Sequence, residues 1–298
     1  MAVVVGVDAG GTASKAVVLD AAGRELGRGS AGPGNPSATG AAAVRAIGSA
    51  LRSALGAAGV RDAAAVTSGV VGVAGASALA DPAIAAAFAA QWDAVGLRVP
   101  MRIVGDAVTA FAAGGDWAAG AVLISGTGAV AALVDGLEVV RVADGLGWLL
   151  GDEGSGLWLG LQAVRQAARR FETPLGRRVA AHAAAATPDA LVRWAQALPP
   201  FGALAPMVCA LAEAGDPDAT AIVTEAGRRL VATLDELNAP GAPVVLGGGL
   251  LTAETPVRRA VLEHLTGRGT TVGTAADPAL GAARLALRRT TGASPPPA

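Results

Sequence analysis

Short apolar runs that end in glycine turns alternate along this chain with longer runs of helical periodicity. The first apolar run, Val3–Val7, is rich in β-branched residues and is followed by Asp8. Gly10 and Gly11 come next, and a second apolar run, Ala16–Leu19, follows them. Apolar runs of this length separated by adjacent glycines are typical of a β-hairpin. The pattern therefore predicts two strands joined by a glycine turn.

The same design occurs a second time along the chain. The apolar runs Ala121–Ser125 and Ala129–Val134 flank the turn Gly126–Gly128. Each hairpin leads into a third short run, Glu25–Arg28 in the first copy and Glu138–Val142 in the second. Repetition of a whole supersecondary unit indicates a duplicated architecture. We therefore expect two related domains whose glycine turns hold a nucleotide triphosphate between them.

Between and beyond the two hairpins, the pattern predicts buried strands that alternate with amphipathic helices, as in an α/β fold. The further strands are expected at 66–74, 101–105 and 244–246. The helices are expected at 39–59, 82–92, 179–186, 188–198, 206–215, 219–237, 255–265 and 277–289. The turn Gly114–Asp116 is the expected domain boundary, and the proline-containing residues after Thr290 predict a disordered tail.

The first glycine turn carries residue types that suit a phosphate group. Adjacent Gly10 and Gly11 let a ligand approach the backbone and leave N–H groups exposed. Thr12 adds a hydroxyl donor, Lys15 adds a positive charge, and Asp8 places a carboxylate where the strand ends. A carboxylate beside phosphates predicts a divalent cation, because Mg²⁺ combines one or two carboxylates with phosphate oxygens. The alternative is an ordinary glycine hairpin, and the second copy of the turn favours the phosphate site.

Two polar residues elsewhere have candidate roles. Asp106 directly follows the apolar run 101–105 and precedes a predicted helix. Ligands of open α/β sheets bind at the carboxyl ends of strands, so Asp106 is a candidate general base; its alternative role is the N-cap of that helix. Asn35 precedes Pro36, which favours an extended backbone, and its amide could bind ligand hydroxyls or an acyl-amide group. The alternative for Asn35, which its local sequence favours, is a turn residue.

A glycine-rich loop at 144–156 contains the adjacent acids Asp152 and Glu153 and opens a helix expected to end near Phe171. Ser155 could cap this helix, and the two acids would complement the helix dipole. The density of glycine exceeds what a cap needs. We therefore favour the interpretation that one of the two acids faces a ligand hydroxyl.

A second glycine cluster, Gly247, Gly248 and Gly249, follows the last predicted strand. Three consecutive glycines would allow a flat group such as adenine or ribose to lie against the backbone. The alternative is an ordinary turn between a strand and a helix.

Composition narrows the classes of function. The net charge is −1 and no block of basic residues occurs, which argues against a nucleic-acid surface. The apolar stretches are short or interrupted, so neither a transmembrane helix nor a signal peptide is predicted. Cys209 is the only cysteine, which excludes an internal disulfide and disfavours a thiolate-bound zinc or iron–sulfur site within one chain. These features predict a cytoplasmic protein.

Taken together, the motifs resemble those of the actin-like sugar kinase superfamily, and more narrowly the N-acetylglucosamine kinase and BadF/BadG/BcrA/BcrD-type ATPase family. The resemblance extends from residue 3 to about 286 and is carried by Asp8–Thr12 with Lys15, Gly34–Pro36, Asp106, Ser125–Gly128, Gly147–Trp148, Gly151–Ser155 and Gly247–Gly249. It implies an α/β fold of two actin-like (ribonuclease H-like) ATPase domains with a cleft between them. The implied first domain covers 1–114 and is completed by a helix at 278–289, the second covers 115–277, and 290–298 form the tail.

The resemblance also implies transfer of the γ-phosphate of ATP to a hydroxyl of an amino sugar, with N-acetylglucosamine or glucosamine as the expected acceptor. The nucleotide would be bound by Gly10, Gly11, Thr12, Lys15, Gly126, Thr127, Gly128, Gly247, Gly248 and Gly249. Asp8 would hold magnesium, and Asp106 would accept the proton of the attacking hydroxyl. The sugar would be bound by Asn35, Asp106, Gly147, Trp148 and Asp152. Catalysis would rest on positioning and charge neutralisation, and a homodimer would be a reasonable assembly for this class.

The sequence departs from the family pattern after the second glycine turn. Ala129 and Val130 stand where eukaryotic members have Ser-Asn, so a polar contact to the sugar is missing and selectivity for an N-acetyl group is left open. Other members of the family are activator ATPases that use a cysteine-bound iron–sulfur cluster, which Cys209 alone does not supply. A sugar-sensing ATPase without transferase activity is the second alternative.

Overall fold

The computed structural model describes residues 2–75 and 80–291, which form two compact units. Unit 1 takes its residues from Met1–Gly120, Val134–Val140 and Ala275–Ala298, and unit 2 takes its residues from Ala121–Leu133 and Arg141–Thr274. The described strands are β1 Val3–Ala9, β2 Ser14–Asp20, β3 Glu25–Ala31, β4 Val66–Val73, β5 Met101–Gly105, β6 Ala119–Ser125, β7 Ala129–Asp135, β8 Glu138–Asp144, β9 Val244–Gly247 and β10 Val272–Thr274. The described helices are α1 Pro36–Thr39, α2 Ala41–Ala57, α3 Pro82–Val95, α4 Asp106–Gly114, α5 Gly156–Arg169, α6 Pro174–His182, α7 Pro188–Gln196, α8 Ala205–Glu213, α9 Pro217–Asp235, α10 Gly249–Thr252, α11 Pro256–Gly267 and α12 Pro278–Thr291.

β1 is the central strand of the first five-stranded sheet, whose order is β3-β2-β1-β4-β5. It pairs with β2 in the antiparallel direction and with β4 in the parallel direction, and β5 continues the parallel pairing. The predicted hairpin is therefore confirmed. Because β1, β4 and β5 run in parallel, their carboxyl ends meet at one edge of this sheet.

The two faces of β1 pack against different helices, because side chains alternate across a strand. The odd-numbered residues of β1 are fully buried in a cluster with apolar residues of α2. On the opposite face, α12 comes so close to Gly6 that a Cβ there would lie 2.0 Å from the amide nitrogen of Ala283. Asp8 shares the face of Gly6. Its carboxylate therefore points toward the side of the sheet on which α12 packs.

The second five-stranded sheet has the order β10-β9-β6-β7-β8. Read from its other end, this order repeats that of the first sheet, with β6 in the place of β1. β6 pairs in parallel with β9, and β9 pairs in parallel with β10. Apolar residues of α5, α8, α9 and α11 bury one face of this sheet. The shared strand order confirms the duplication that the sequence repeat predicts.

The departures from the predicted elements involve short or terminal segments. α1, α10 and β10 were not predicted, and α6 begins at Pro174 instead of Val179 because Thr173 caps it. α12 continues through Thr291, so the predicted tail begins inside this helix, and its remaining residues, 292–298, lie outside the described ones. Across residues 2–75 and 80–291, no helix combines the length and apolar character needed to cross a bilayer.

Candidate active site

Asp8 and Asp106 lie at the same edge of the first sheet. In the parallel register, Ala9 is opposite Val73, and Val73 is opposite Gly105. Asp106 directly follows Gly105 and is the first residue of α4. The structure therefore places the predicted metal ligand and the predicted base two strands apart at the carboxyl ends of parallel strands, where α/β sheets bind ligands.

Asp106 does not act as the N-cap of α4. The N-cap is Gly105, and no side-chain hydrogen bond caps this helix. The Asp106 carboxylate accepts a hydrogen bond from the amide of Ala107 to Oδ1 at 3.0 Å, and its own backbone amide also donates to it. Its other oxygen, Oδ2, accepts no hydrogen bond from another residue of the described part of the chain. One oxygen is thus held in place while the other is available to a ligand.

Burial raises the pKa of both carboxyl groups. The pKa of Asp8 rises from 3.8 to about 6, chiefly through desolvation and further through the charge of Asp106. Lys15 is opposite Asp8 in the β1–β2 register, and its positive charge works against this rise. Burial also raises the pKa of Asp106, which the hydrogen bond from Ala107 partly offsets. Perturbed carboxyl groups at a sheet edge are typical of functional sites.

The first glycine turn leaves backbone donors free. The Gly10 amide donates to the Ala13 carbonyl at 3.1 Å, and the Gly10 carbonyl accepts from the Gly34 amide at 2.9 Å. The amides of Gly11 and Thr12 have no acceptor among the described residues, and both residues are exposed. A Cβ at Gly11 would meet no atom within 4 Å, and its φ is not positive. Neither packing nor backbone conformation requires glycine there, which leaves close approach of a ligand as the physical reason.

Asn35 has the turn role that its local sequence favours. It is the N-cap of α1, and its Oδ1 accepts a hydrogen bond from the Ser37 amide at 2.9 Å. The Ser37 hydroxyl in turn donates to the Gly75 carbonyl at 3.1 Å. The Asn35 side-chain NH₂ group donates to no described residue. The two roles considered from sequence are therefore compatible, because the cap uses the oxygen and leaves the donor for a ligand.

Asp277 is a further residue of this site, and the sequence pattern does not indicate it. Asp277 directly precedes α12, and its Oδ1 accepts a hydrogen bond from the Leu280 amide at 3.2 Å. Its carboxylate also pairs with Arg28, and its charge contributes to the raised pKa of Asp8. The Asp277–Pro278 dipeptide signals a helix start. Only the packing of α12 on β1 shows that this helix start lies near Asp8.

The second glycine turn has a matching arrangement in unit 2. The Gly126 amide donates to the Gly128 carbonyl at 2.9 Å. The carbonyls of Gly126 and Thr127 accept from the first amides of α5, those of Gly156 at 2.7 Å and Leu157 at 3.2 Å. The amides of Thr127 and Gly128 have no acceptor among the described residues. Consecutive free amides in a turn form a concavity that suits an anion, so both copies of the turn retain this property.

Asp152 lies against the second turn. Its Oδ1 accepts a hydrogen bond from the Ala129 amide at 3.0 Å, and a Cβ at Gly128 would lie 2.8 Å from the same oxygen. Asp152 has a φ of 56°, a conformation that few non-glycine residues adopt. Burial raises its pKa, and the charge of Asp144 adds to the effect. The prediction that Asp152 belongs to the same site as the second turn therefore has a geometric basis.

Asp144 holds this loop together, a role that the sequence analysis did not assign. Its Oδ1 accepts from the Asp152 amide at 2.7 Å, and its Oδ2 accepts from the Glu153 amide at 2.8 Å. A Cβ at Gly151 would lie 2.0 Å from Asp144 Oδ1, so any other residue there would displace this carboxylate. Asp144 itself has a φ of 61°. The signal in the sequence is an acid directly before Gly145 at the end of an apolar strand.

Glu153 is engaged in the protein and does not remain available as a ligand acid. Its carboxylate pairs with Arg229, whose guanidinium lies 5.4 Å from the centre of the Trp158 ring. Ser155 caps α5 as predicted, because its Oγ accepts from the Trp158 amide at 3.1 Å. Of the two acids considered, Asp152 is therefore the candidate for ligand contact.

Gly147 and Trp148 lie in an exposed part of the loop. The Gly147 carbonyl accepts from the amides of Leu150 at 3.1 Å and Gly151 at 2.7 Å, and its φ is 78°. Trp148 is 44% exposed and lines an apolar groove of about 290 Å³ with Phe201 and other residues of unit 2. Within the described part of the chain, no hydrogen bond joins Trp148 to Asp152.

The three consecutive glycines after β9, Gly247, Gly248 and Gly249, differ in role. Gly247 ends the buried strand β9. Gly248 has a φ of 78°, and a Cβ there would lie 2.3 Å from the Ser125 carbonyl oxygen, so packing within the protein requires glycine. Gly249 begins α10, and a Cβ there would meet no atom within 4 Å. A Cβ at Gly126 would lie 3.7 Å from the Gly249 amide nitrogen. Gly249 therefore lies beside the second glycine turn, and no atom occupies the space where its side chain would be.

Comparison with known proteins identifies the family. The family model described as "BadF/BadG/BcrA/BcrD ATPase family" matches residues 5–286. The chain belongs to this family. Its fold is similar to that of a candidate N-acetylglucosamine kinase from Chromobacterium violaceum, with 26% identity, a TM-score of 0.76 and coverage of 96% of this chain and 99% of that chain. No curated protein sequence matches the chain significantly.

Other solved structures extend the relation of this BadF/BadG-type protein to sugar kinases at the level of fold. A candidate N-acetylglucosamine kinase from Porphyromonas gingivalis is 23% identical, with a TM-score of 0.72 and coverage of 97% of this chain and 100% of that chain. A ROK-family glucokinase from Streptomyces griseus, solved with glucose and AMPPNP, is 23% identical, with a TM-score of 0.58 and coverage of 96% and 99%. The predicted actin-like α/β fold is confirmed.

The acids at the sheet edge fit a magnesium ion only together with a ligand. Within residues 2–75 and 80–291, no group of three or more His, Cys, Asp or Glu side chains is placed to hold a metal ion. Asp8 nevertheless supplies hard carboxylate oxygens, and part of its raised pKa comes from the charge of Asp106. Magnesium takes one or two carboxylates and completes its coordination with water and phosphate oxygens. The donor set therefore fits a nucleotide-bound cation.

Proposed function

We propose that this protein is an ATP-dependent kinase that transfers the γ-phosphate to a hydroxyl of an amino sugar, either N-acetylglucosamine or glucosamine. The observation that carries the proposal is the Asp106 carboxylate, which is half-buried at the sheet edge, with one oxygen fixed by Ala107 and the other bound by no other described residue. A base in such a position can accept the proton of an attacking hydroxyl. Its raised pKa brings it closer to the operating pH, which favours proton acceptance.

The two glycine turns would bind the phosphates of ATP. Each presents two consecutive free amides, those of Gly11 and Thr12 in unit 1 and those of Thr127 and Gly128 in unit 2. Lys15 adds a positive charge in unit 1, and Gly249 would lie against the nucleoside. Asp8 would hold magnesium, which when bound to ATP neutralises charge on the phosphates.

The acceptor would be bound by groups that the structure leaves partly free. The Asn35 side-chain NH₂ can donate to a sugar hydroxyl or to an acetamido oxygen, while its oxygen keeps the cap of α1. Asp152 would accept from sugar hydroxyls with the carboxylate oxygen that does not bind Ala129. Gly147 and Trp148 would border the acceptor. Because Ala129 and Val130 have apolar side chains, selectivity for the N-acetyl group would depend on Asn35.

The role of an iron–sulfur activator is not supported by the position of the cysteine. Cys209 lies on α8, is 8% exposed and belongs to the core cluster of unit 2. Burial raises the pKa of its thiol, which disfavours the thiolate that an iron–sulfur cluster needs. The kinase proposal therefore has the stronger physical basis.

An assay of ADP release would test the reaction and the acceptor together. Purified protein with magnesium-ATP would be given glucosamine, N-acetylglucosamine, N-acetylmannosamine, N-acetylmuramic acid or glucose. We expect turnover with one of the first two sugars and a phosphorylated sugar in the product mixture. ADP release without a phosphorylated sugar would overturn the transferase proposal, and turnover with glucose alone would overturn the proposed acceptor class.

A further inference from the structure

A polar groove in unit 2 lies between α5 and α9 and has no role in the proposed reaction. Its volume is about 260 Å³. α5 contributes charged and amide side chains to its walls, and α9 contributes charged and apolar ones. Among the lining residues are Trp158, Gln162, Arg165, Arg169, Asp218, Glu225 and Arg229.

Two arginines of this groove have no partner within the described part of the chain. Arg165 and Arg169 are four residues apart on α5, so they lie on the same face of the helix. Both are exposed, and neither forms an ion pair or a hydrogen bond with another described residue. Two unpaired arginines at this spacing place two guanidinium groups beside the same volume.

The acids in the groove do not balance this charge, because other arginines already neutralise them. Asp218 is 6% exposed and binds Arg170. Glu225 binds both Arg228 and Arg229, and these pairs lower its pKa to about 2. Arg165 and Arg169 therefore leave a local surplus of positive charge in a chain whose net charge is −1.

We propose that this groove is an anion site that takes a phosphate group, either inorganic phosphate or a phosphate monoester. Arg165 and Arg169 would bind its oxygens, because the planar guanidinium group matches the geometry of phosphate and stays charged at all physiological pH values. Gln162, which is half-buried and forms no hydrogen bond with a described residue, would add an uncharged donor. The volume accommodates one phosphate group with a small substituent.

Arg229 connects the groove to the loop that carries Asp152. It lines the groove, lies over Trp158 and pairs with both Glu225 and Glu153. A bound anion would compete with these carboxylates for the Arg229 guanidinium. Because Glu153 directly follows Asp152, weakening of the Glu153–Arg229 pair would loosen the loop. Phosphate in the groove would thereby act on the loop without contacting it.

Titration calorimetry would test the site without reference to catalysis. Inorganic phosphate and glucosamine 6-phosphate would each be titrated into the full chain and into the double variant Arg165→Ala/Arg169→Ala. We expect binding of at least one of them, weakened about tenfold or more in the double variant because two charge-assisted contacts are lost. The control variant, Arg177→Ala/Arg178→Ala, removes the same charge from exposed positions on α6 and should bind within about twofold of the unaltered chain.

The outcomes separate this site from the glycine turns. If phosphate binds only at those turns, the double variant will bind it with unchanged affinity, and that result would overturn the proposal. The absence of binding of both anions to the unaltered chain would overturn it as well. Tighter binding of the monoester identifies a phosphorylated metabolite as the occupant, whereas equal affinities identify phosphate itself. For the coupling, hydrogen exchange at residues 152–155 should become at least about twofold faster with anion present, and not in the double variant. Unchanged exchange in the unaltered chain would refute the role of Arg229.

Discussion

At the scale of single residues, the site depends on carboxylates that are costly to bury. Asp8 has a pKa of about 6, against 3.8 in the absence of the fold, because burial and the charges of Asp106 and Asp277 disfavour its ionised form. Lys15 offsets only part of this cost. Such a cost persists where the same charge serves binding or catalysis. We therefore expect the apo protein to be less stable than a variant that lacks the ionised Asp8 carboxylate.

Replacing Asp8 by Asn should stabilise the protein above pH 6. A raised pKa means that the folded state holds the proton more tightly, so the ionised carboxylate destabilises the fold above about pH 6 and the penalty disappears below pH 3.8. The gain in free energy of unfolding at pH 8 should be at most about 3 kcal/mol and smaller at pH 5. Thermal unfolding of Asp8→Asn at both pH values would measure it. The exposed Asp93→Asn substitution is the control, and an Asp8 variant equally stable to the unaltered chain at pH 8 would contradict this explanation.

Replacing Asp144 by Ala should disorder the glycine-rich loop at 144–156, called here the acceptor loop because it carries Asp152, while sparing the glycine turn of unit 1. The variant removes the acceptor for two backbone amides, those of Asp152 and Glu153, each of which would cost about 1–3 kcal/mol if left unsatisfied. We expect KM for the sugar to rise about tenfold or more, with KM for ATP changed much less. Asp144→Asn, which keeps one carbonyl oxygen, should show a smaller effect. Equal effects on both KM values would argue against a role confined to the acceptor loop.

The sequence predicted Asp8, Asp106 and Asp152 because each one ends a recognisable run or lies in a glycine-rich loop. It did not assign roles to Asp144 or Asp277, since their functions depend on partners that only the tertiary fold supplies. Local sequence also left the role of Asn35 open. The structure shows that its side-chain oxygen caps a helix while its donor stays free, a division of roles that spacing alone does not reveal.

At the scale of elements, glycine has different roles in a turn and in a strand. In the turn it leaves space for a ligand, and in the strand it lets a helix pack closely. A Cβ at Gly11 would meet no atom within 4 Å, whereas a Cβ at Gly6 would collide with the backbone of α12 at Ala283. Gly11→Ala should therefore leave the thermal midpoint nearly unchanged and weaken ATP binding about tenfold, because a methyl group would occupy the space next to the free amides. Gly6→Ala should instead lower the thermal midpoint strongly.

Calorimetry of ATP binding together with thermal unfolding would check both variants. A Gly11→Ala protein that binds ATP as tightly as the unaltered chain would show that the turn is an ordinary hairpin. That outcome corresponds to the alternative that the sequence left open for this turn. Loss of folding in Gly11→Ala would also be unexpected, because the open space at this position leaves no atom to displace.

The longer elements were predictable because their periodicity extends over many residues. α2, α3, α9 and the strands of both hairpins lie close to their predicted positions. α10 and β10 comprise only 4 and 3 residues, too short for a periodic signal. α6 begins before its apolar pattern does, because Thr173 and Pro174 fix its N-terminus. The positions of the missed segments thus depend on helix caps and on neighbouring strands, and not on the hydrophobic pattern.

At the scale of the whole molecule, unit 1 is assembled from distant parts of the chain. α12 packs on β1, β2, β4 and α4, and its buried residues include Ala279, Ala282 and Ala283. A chain that ends after Thr274 should lose slow hydrogen exchange throughout β1, because one face of the first sheet would be exposed. A chain that ends after Thr291 keeps every described element and is the control. Retained protection of β1 in the shorter chain would contradict the packing described for unit 1.

The sequence repeat predicted the duplication because both hairpins share a turn and a third strand, and the common strand order of the two sheets confirms it. The sequence alone did not show which residues contribute to the site of each unit. Asp277 is distant in sequence from the rest of unit 1 and reaches it through α12. Contacts of this kind require the folded chain.

The central claim is that Asp106 is the base of a phosphoryl transfer to a sugar, and one substitution tests it most directly. Steady-state phosphorylation of the preferred amino sugar would be measured for the unaltered chain, Asp106→Asn and the exposed control Asp93→Asn, with ATP affinity measured by calorimetry. The account predicts that Asp106→Asn lowers kcat by at least about 100-fold while binding ATP as before, and that the control is unaffected. An Asp106→Asn enzyme with unchanged kcat would remove this carboxylate from the chemistry and contradict the account.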